Sequence, residues 1–249
     1  MKAVILIPAR YASSRLPAKP LADIEGKTLI QRVYEQALKS ALASQVVVAT
    51  DNTEIFNHLT SIGYNVIMTS DTHQSGTDRI AEACQSVDAD VVINIQGDEP
   101  LIQPEQIDDL IRTFHNPEIQ IATQRFKIEQ ETDIFDYNVV KVVCDKNDRA
   151  LYFSRQAIPA CRDLPYREWM LQTTYFRHIG IYGYRKSILE ELTKLPKSAL
   201  ERAEFLEQLR WLEHGYHIHC PETAFHSIGV DTAEDLEKVR AIVRFIEQS

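Results

Sequence analysis

Apolar and polar positions fall into two regimes along the chain. In the first half, short continuous apolar runs alternate with stretches whose apolar residues recur at helical spacing. Residues 3–7 form an unbroken apolar run ended by Pro8, the pattern of a strand buried on both faces. Residues 28–41 place Leu29, Ile30, Val33, Tyr34, Ala37, Leu38 and Ala41 on one helical face. Strands are predicted next at 46–49, 65–68 and 91–95. Helices are predicted at 53–62, stopped by Gly63, from near Asp78, and after Pro104. This βαβα rhythm predicts a parallel sheet covered by helices.

The second half is less regular. Residues 139–143 and 151–154 read as strands around the turn-prone Asp145-Lys146-Asn147-Asp148, and 179–184 as another. Helices are predicted at 186–195, at 201–213 and from near Thr232. The mixed pattern implies antiparallel additions to the parallel core. No repeat, low-complexity tract or Gly/Ser linker divides the chain, so residues 1–249 are expected to form a single α/β domain.

Composition adds little to this. With 44% hydrophobic and 25% charged residues, 249 residues suffice for a substantial core. The segment after Met1 lacks the apolar core and small-residue cleavage site of a signal peptide, and no apolar run approaches bilayer length. A cytoplasmic protein without membrane contact is therefore expected. Cys84, Cys144, Cys161 and Cys220 show no CxxC pairing, so neither a disulfide framework nor zinc is expected. The net charge of −9 argues against nucleic-acid binding and draws attention to the places where positive charge gathers.

One such place follows the first strand: Pro8-Ala9-Arg10-Tyr11-Ala12-Ser13-Ser14-Arg15-Leu16-Pro17-Ala18-Lys19-Pro20. Arg10, Arg15 and Lys19 leave the sheet where open α/β folds bind ligands, and guanidinium forks with an ammonium suit polyphosphate oxygens. A solvated basic loop would look the same by composition. GxxxxGK[ST] and GxGxxG are both absent, which disfavours a P-loop and a Rossmann dinucleotide site. Gln96-Gly97-Asp98-Glu99-Pro100 follows the fourth strand and places a carboxylate where Mg²⁺ can bridge phosphate oxygens. There Gly97 permits a close approach or an unusual backbone angle. Gly229-Val230-Asp231-Thr232 offers a second carboxylate, although Asp231 or Thr232 reads equally well as a helix N-cap. His73-Gln74-Ser75-Gly76-Thr77-Asp78-Arg79 runs into a helix N-terminus whose backbone donors suit a base or a phosphate, or which is simply capped. Alternation in Arg177-His178-Ile179-Gly180-Ile181-Tyr182-Gly183-Tyr184-Arg185 puts His178, Gly180, Tyr182 and Tyr184 on one face. Helix 201–213 carries Glu204, Glu207 and Gln208 at helical spacing, and Glu207 and Gln208 can both border a cleft.

IPARYASSRLPAKPL, HQSGTDR, NIQGDEP, RHIGIYGYR, LEQLR and GVDTAEDLEKV appear in this order. In these strings, spread over nearly its whole length, the chain resembles the 3-deoxy-manno-octulosonate (Kdo) cytidylyltransferase family. The resemblance implies a three-layer nucleotide-diphospho-sugar transferase fold, mainly parallel with antiparallel additions. It also implies transfer from CTP to Kdo with release of pyrophosphate, for lipopolysaccharide inner-core synthesis, and Mg²⁺ and a homodimer. Arg10, Arg15 and Lys19 match triphosphate-binding positions, and Ser75 and Gly76 the cytidine segment. Asp98 and Asp231 match metal ligands. Gln96, Arg155, His178, Tyr182, Glu207 and Gln208 match the sugar pocket, with Arg155 the natural partner of the Kdo carboxylate. Residues to about 130 would mainly bind nucleotide; the rest would add sugar pocket, second metal ligand and dimer contacts. One departure stands out: Ala18 occupies the place where the family commonly has glycine.

The nearest alternatives are cytidylyltransferases for 8-amino-Kdo or sialic acid, the latter opposed by RHIGIYGYR and LEQLR. A glycosyltransferase on the same fold would want a DxD-type motif, which Asp98-Glu99-Pro100 is not. A silent paralogue is opposed by retention of the expected phosphate and metal ligands.

Overall fold

The computed structural model describes residues 1–11, 16–226 and 228–248. They group into two compact units, one of Met1–His115, Gly183–Thr193 and Ser227–Ser249, the other of Asn116–Tyr182 and Lys194–His226. The first unit begins with β1 (Ala3–Ala9), β2 (Asp23–Ile24), β3 (Lys27–Thr28), α1 (Leu29–Ala37), β4 (Ala43–Thr50) and α2 (Thr53–Ser61). It continues through β5 (Val66–Met68), α3 (Gly76–Cys84), β6 (Val91–Asn94) and α4 (Pro104–Thr113). The second unit then contributes β7 (Ile121–Lys127), α5 (Glu131–Phe135), β8 (Lys141–Cys144), β9 (Ala150–Ser154) and α6 (Trp169–Gln172). Strand β10 (Phe176–Arg185) begins in the second unit and ends in the first, where α7 (Lys186–Leu192) follows. The second unit closes with α8 (Ala199–Glu204), α9 (Gln208–Glu213) and β11 (Ile218–His219), and the first with α10 (Ala233–Gln248).

In the first unit the strands lie in the order β5-β4-β1-β6, each neighbouring pair parallel. Val4, Ile5, Leu6 and Ile7 are fully buried, as an apolar run covered on both faces requires. Strand β1 has β4 on one side and β6 on the other, so the chain leaves it in both directions. That switch point is where open α/β sheets bind ligands, beyond the strand carboxyl ends. Helix α10 buries Leu236, Val239 and Val243. Arg240 fastens it to the Asp23 carbonyl and Arg244 to Glu25, which fixes the corner leading into the helix.

The second unit is mixed. Strand β11 lies parallel to β7, whereas β8 pairs antiparallel with β9 and with β10. These are the antiparallel additions expected from the sequence. Ile128, Ile134, Val139, Trp169 and Tyr175 form a core cluster here.

Two helices differ from expectation for visible reasons. The helix expected over 28–41 stops at Ala37, because Ser40 and the amides of Ala41 and Leu42 all donate to buried Asp108. The helix expected over 201–213 is two helices. Phe205 adopts a left-handed φ of 53°, and the Glu204 carbonyl accepts from Arg155 Nε at 2.8 Å instead of extending a helical ladder. Glu204, Glu207 and Gln208 therefore do not share one helix.

Candidate active site

The first unit gathers the phosphate and metal candidates at the carboxyl edge of its parallel strands. Arg10 directly follows β1, and Asp98 lies just past β6. The strand-end turn carrying Asp98 packs tightly on the root of the basic loop: a Cβ at Gly97 would sit 2.7 Å from the Pro8 carbonyl oxygen. Gly97 is thus required by main-chain approach rather than by an unusual angle. Arg15, with Ser13 and Ser14, lies outside the described residues.

Lys19 opens a short 3₁₀ turn after Ala18, which holds φ 53°, ψ 28°. A left-handed angle costs an alanine about 1–2 kcal/mol, so the loop tolerates strain at Ala18. The Lys19 side chain is only 15% exposed, and its ammonium lies 2.7 Å from Asp98 Oδ2 and 3.2 Å from Asp231 Oδ1. Two carboxylates from distant parts of the chain thus share one positive centre. The choice left open for Asp231 is decided by its neighbours. Thr232 supplies the cap, accepting from the Asp235 amide at 3.2 Å, and Asp235 accepts in return from the amides of Asp231 and Thr232. The Asp231 carboxylate turns to Lys19 instead. Its approach is fixed by the main chain, since the Val230 amide donates to the Asp98 carbonyl at 2.9 Å.

This pair fits a hard divalent ion. The ammonium marks a point where both carboxylates reach a cation, and no group of three or more His, Cys, Asp or Glu with metal-site geometry occurs among the described residues. Mg²⁺ commonly takes only one or two protein carboxylates and completes its shell with phosphate and water.

At the same edge Ser75 caps α3. Its hydroxyl accepts from the Asp78 amide at 3.0 Å, and Asp78 accepts from the Ser75 amide, so the capping reading of this segment holds for both side chains. The helix begins at Gly76, two residues earlier than expected. Behind it, buried Arg79 ties Asp51 and Thr69 together at 2.5 and 2.6 Å, bracing the ends of β4 and β5. Gln96, the one sugar-pocket candidate in this unit, is half-buried beside Gly97.

The other sugar-pocket candidates belong to the second unit. The Arg155 guanidinium donates to the main-chain carbonyls of Glu204 (2.8 Å), Tyr137 (3.0 Å) and Phe205 (3.5 Å). A guanidinium has five donors, so one donor remains on each terminal nitrogen. The imidazole of His178 is enclosed by Phe153 and Tyr182, and desolvation pushes its pKa down to about 3. Its Nε2 lies 3.0 Å from Thr123 Oγ1, which also lies within 3 Å of the Ile179 and Ile181 carbonyls. Those carbonyls can only accept, so they take the hydroxyl proton. His178 Nε2 must then be the N–H donor, which leaves Nδ1 as an acceptor. Tyr182 is buried against Trp211. Glu207 precedes α9 with Oε1 3.8 Å from Arg210, and Gln208 is buried at the helix start.

Sequence reasoning named Glu204 only as a helix position and missed that Glu204 and Lys141 hold Arg155. Glu204 accepts from the Ser154 hydroxyl at 2.6 Å and from the Arg155 amide at 2.9 Å. Fully buried Lys141 donates to the carbonyls of Asp136, Val139 and Arg155 at 2.6–2.8 Å, and burial lowers its pKa. A lysine inside the apolar run Val139-Val140-Lys141-Val142-Val143 was the available signal, because buried charge needs dedicated partners.

A parallel sheet with phosphate-suited cations and a carboxylate pair at its switch point defines a nucleotidyltransferase-type site, and residues 4–219 match the family model described as Cytidylyltransferase. Relatives named 3-deoxy-manno-octulosonate cytidylyltransferase include those of Parabacteroides distasonis (51% identical, 98% of each chain covered) and Chloroherpeton thalassium (52%, again 98% of each). The chain belongs to this family of cytidylyltransferases. A solved CMP:2-keto-3-deoxy-manno-octonic acid synthetase complexed with CTP is 44% identical and superposes with a TM-score of 0.92, covering 98% of this chain and 99% of that one. A 4-diphosphocytidyl-2C-methyl-D-erythritol synthase from Anaerococcus prevotii, 12% identical at a TM-score of 0.63, shares the fold.

Proposed function

We propose that this protein transfers the cytidylyl group of CTP to Kdo, giving CMP-Kdo and pyrophosphate, and so activates the sugar for lipopolysaccharide synthesis. The observation that carries the reading is the cation-binding point shared by Asp98 and Asp231 at the switch point of the sheet. The relatives' names and the CTP complex of the structural neighbour support the choice of nucleotide and sugar.

The anomeric hydroxyl of Kdo attacks the α-phosphorus of CTP in line with the departing pyrophosphate. Arg10, Arg15 and Lys19 hold the β- and γ-phosphates and balance the charge that grows on the leaving group. The Ser75-Gly76 turn, rigid through its capping box, presents main chain to the cytidine. Asp98 and Asp231 would hold Mg²⁺, which would supply Lewis-acid polarisation of phosphate oxygens and lower the pKa of the attacking hydroxyl. Arg155 takes the Kdo carboxylate on its two remaining donors, one on each terminal nitrogen. Neutral His178, through Nδ1, accepts from a sugar hydroxyl, and Tyr182, Glu207 and Gln208 of the same unit are further sugar contacts; in the first unit Gln96 is the residue assigned to the sugar. Positioning and electrostatics suffice, so no protein base is assigned.

The reading extends to a homodimer in the cytoplasm. Phe135, Tyr166 and Trp169 pack in edge-to-face and tilted contacts with ring centroids 5.2–5.7 Å apart, Tyr166 is 66% exposed, and Leu171 nearby in sequence is 86% exposed. Surface of this kind on a soluble enzyme suits self-association. No helix among the described residues is long and apolar enough to cross a membrane.

Pyrophosphate release with CTP across Kdo, 8-amino-Kdo and N-acetylneuraminate tests the assignment. Turnover is expected with Kdo and negligible with N-acetylneuraminate. Preference for 8-amino-Kdo would move the assignment to that sugar, and equal turnover with UTP or a neutral hexose phosphate would overturn it.

A further inference from the structure

Lys19 has two claims on it. As a phosphate ligand its ammonium belongs on the triphosphate, yet the structure places it on Asp98 Oδ2 and Asp231 Oδ1, the carboxylates assigned to the metal. A divalent ion held by both aspartates needs the position that the ammonium takes. An ammonium and a divalent ion cannot both fill that position, so the ion and the observed Lys19 contact exclude each other.

We infer that Lys19 is an exchangeable counter-ion: it holds Asp98 and Asp231 together before substrate arrives, and it passes to the phosphates when nucleotide and divalent ion bind. This rests on the functional reading above. The geometry favours exchange over a fixed structural salt bridge. Asp98 and Asp231 are 30% and 50% exposed, so an ion reaches them from solvent while the lysine side chain itself is mostly covered. Their backbones are joined through Val230 and Asp98, so the carboxylates stay together when the lysine leaves. Lysine carries its charge on a flexible four-carbon stem, which suits a swing between partners better than a guanidinium fork.

The consequence is coupling. An ion arriving alone must displace the ammonium from both carboxylates without bringing it another anion. An ion arriving with triphosphate gives the ammonium a new partner. Nucleotide-free protein therefore binds divalent ions weakly, and nucleotide and ion strengthen each other by the same factor. Lys19 acts here as a positioning residue for the metal carboxylates, in addition to its contact with phosphate.

The test is Mn²⁺ binding to the full-length protein without nucleotide, followed by electron paramagnetic resonance and calorimetry. Lys19→Met is expected to bind Mn²⁺ about tenfold more tightly than wild type, within the usual range of coupled sites. Adding Asp98→Asn to that variant should remove the gain. Melting gives a second readout: Lys19→Met should melt lower in chelator and recover with Mn²⁺, while wild type responds little. Lys19→Gln, which keeps a long polar side chain, serves if the methionine variant folds poorly. Native-like circular dichroism with Mn²⁺ affinity equal to wild type in these variants would overturn the exchange. Turnover of Asp98→Asn separates the two ideas. If it is retained, the functional reading fails; if it is lost while Lys19→Met gains no affinity, only the exchange fails.

Discussion

The two units treat their charged groups in opposite ways. In the first, the Lys19 ammonium meets the Asp98 and Asp231 carboxylates side chain to side chain, at a partly exposed strand edge. In the second, Arg155 and Lys141 are held by main-chain carbonyls, and His178 is kept neutral by its enclosure. Side-chain pairs can change partners when a charged ligand arrives. Charges fixed to backbone carbonyls cannot move without unfolding their surroundings, so they set the shape of a pocket. The contrast fits the two substrates: a polyphosphate that brings its own cations, and a sugar whose hydroxyls must be told apart by position.

The sharpest way to break this contrast is to remove the metal carboxylates. Asp98→Asn and Asp231→Asn are each expected to lower kcat at least ~10²-fold with the fold intact. The double variant should be little worse, because groups serving one ion are strongly non-additive. A double-mutant cycle at saturating Mg²⁺, with melting as control, measures this, and multiplicative losses would show separate roles.

Arg155 probes the fixed side. Arg155→Ala should raise KM for Kdo by the loss of a charge-assisted pair, roughly 1.5–3 kcal/mol, while calorimetry finds CTP binding largely unchanged. Arg155→Lys should not rescue, since an ammonium cannot hold three carbonyls and a carboxylate together. A fall in CTP affinity with KM for Kdo unchanged would move Arg155 to the nucleotide side.

His178 sharpens the comparison through pH. Its folded pKa of about 3 lies below the ordinary 6.5, so the unfolded chain takes up the proton first as pH falls. The stability it contributes is complete above pH 6.5 and is lost progressively toward pH 3, reaching up to about 2 kcal/mol at pH 5. Urea denaturation of wild type and His178→Gln at pH 7 and pH 5 should show a steeper loss in wild type. Parallel slopes would mean that the imidazole is protonated in the fold.

The smallest expected effect is at Ala18. Ala18→Gly relieves the left-handed angle and should stabilise the protein by at most ~1 kcal/mol, the unfolded-state cost of glycine offsetting part of the gain. Lower thermal stability would mean that the methyl group packs usefully.

Much of the first unit was legible because its signals are local. Apolar runs mark β1 and β6, Gly63 stops α2 at Ser61, and Ser75 with Asp78 spells a capping box. The carboxylate pair was legible only in part: Asp231 reads equally as ligand or cap until Thr232 and Asp235 are seen to pair. The second unit hid more. Strand β11 is two residues long and shows no periodicity. The break at Phe205 depends on Arg155 claiming the Glu204 carbonyl, 49 positions away, and no spacing along the chain encodes that. The resemblance pointed to Arg155 but not to Glu204, Lys141 or Thr123, whose work is done on the backbone.

The main-chain bond from Val230 to Asp98 also bears on how the protein is made. A ribosome delivers β1, Lys19 and Asp98 long before Asp231, and domains generally begin to fold from the N-terminus during synthesis. Until the last corner emerges, Lys19 has a single carboxylate to face and the metal position has half its ligands. A nascent chain can thus assemble its parallel sheet and still hold no competent site. Termination just before that corner, with β1, β4, β5 and β6 already made, would leave the metal position without its second carboxylate.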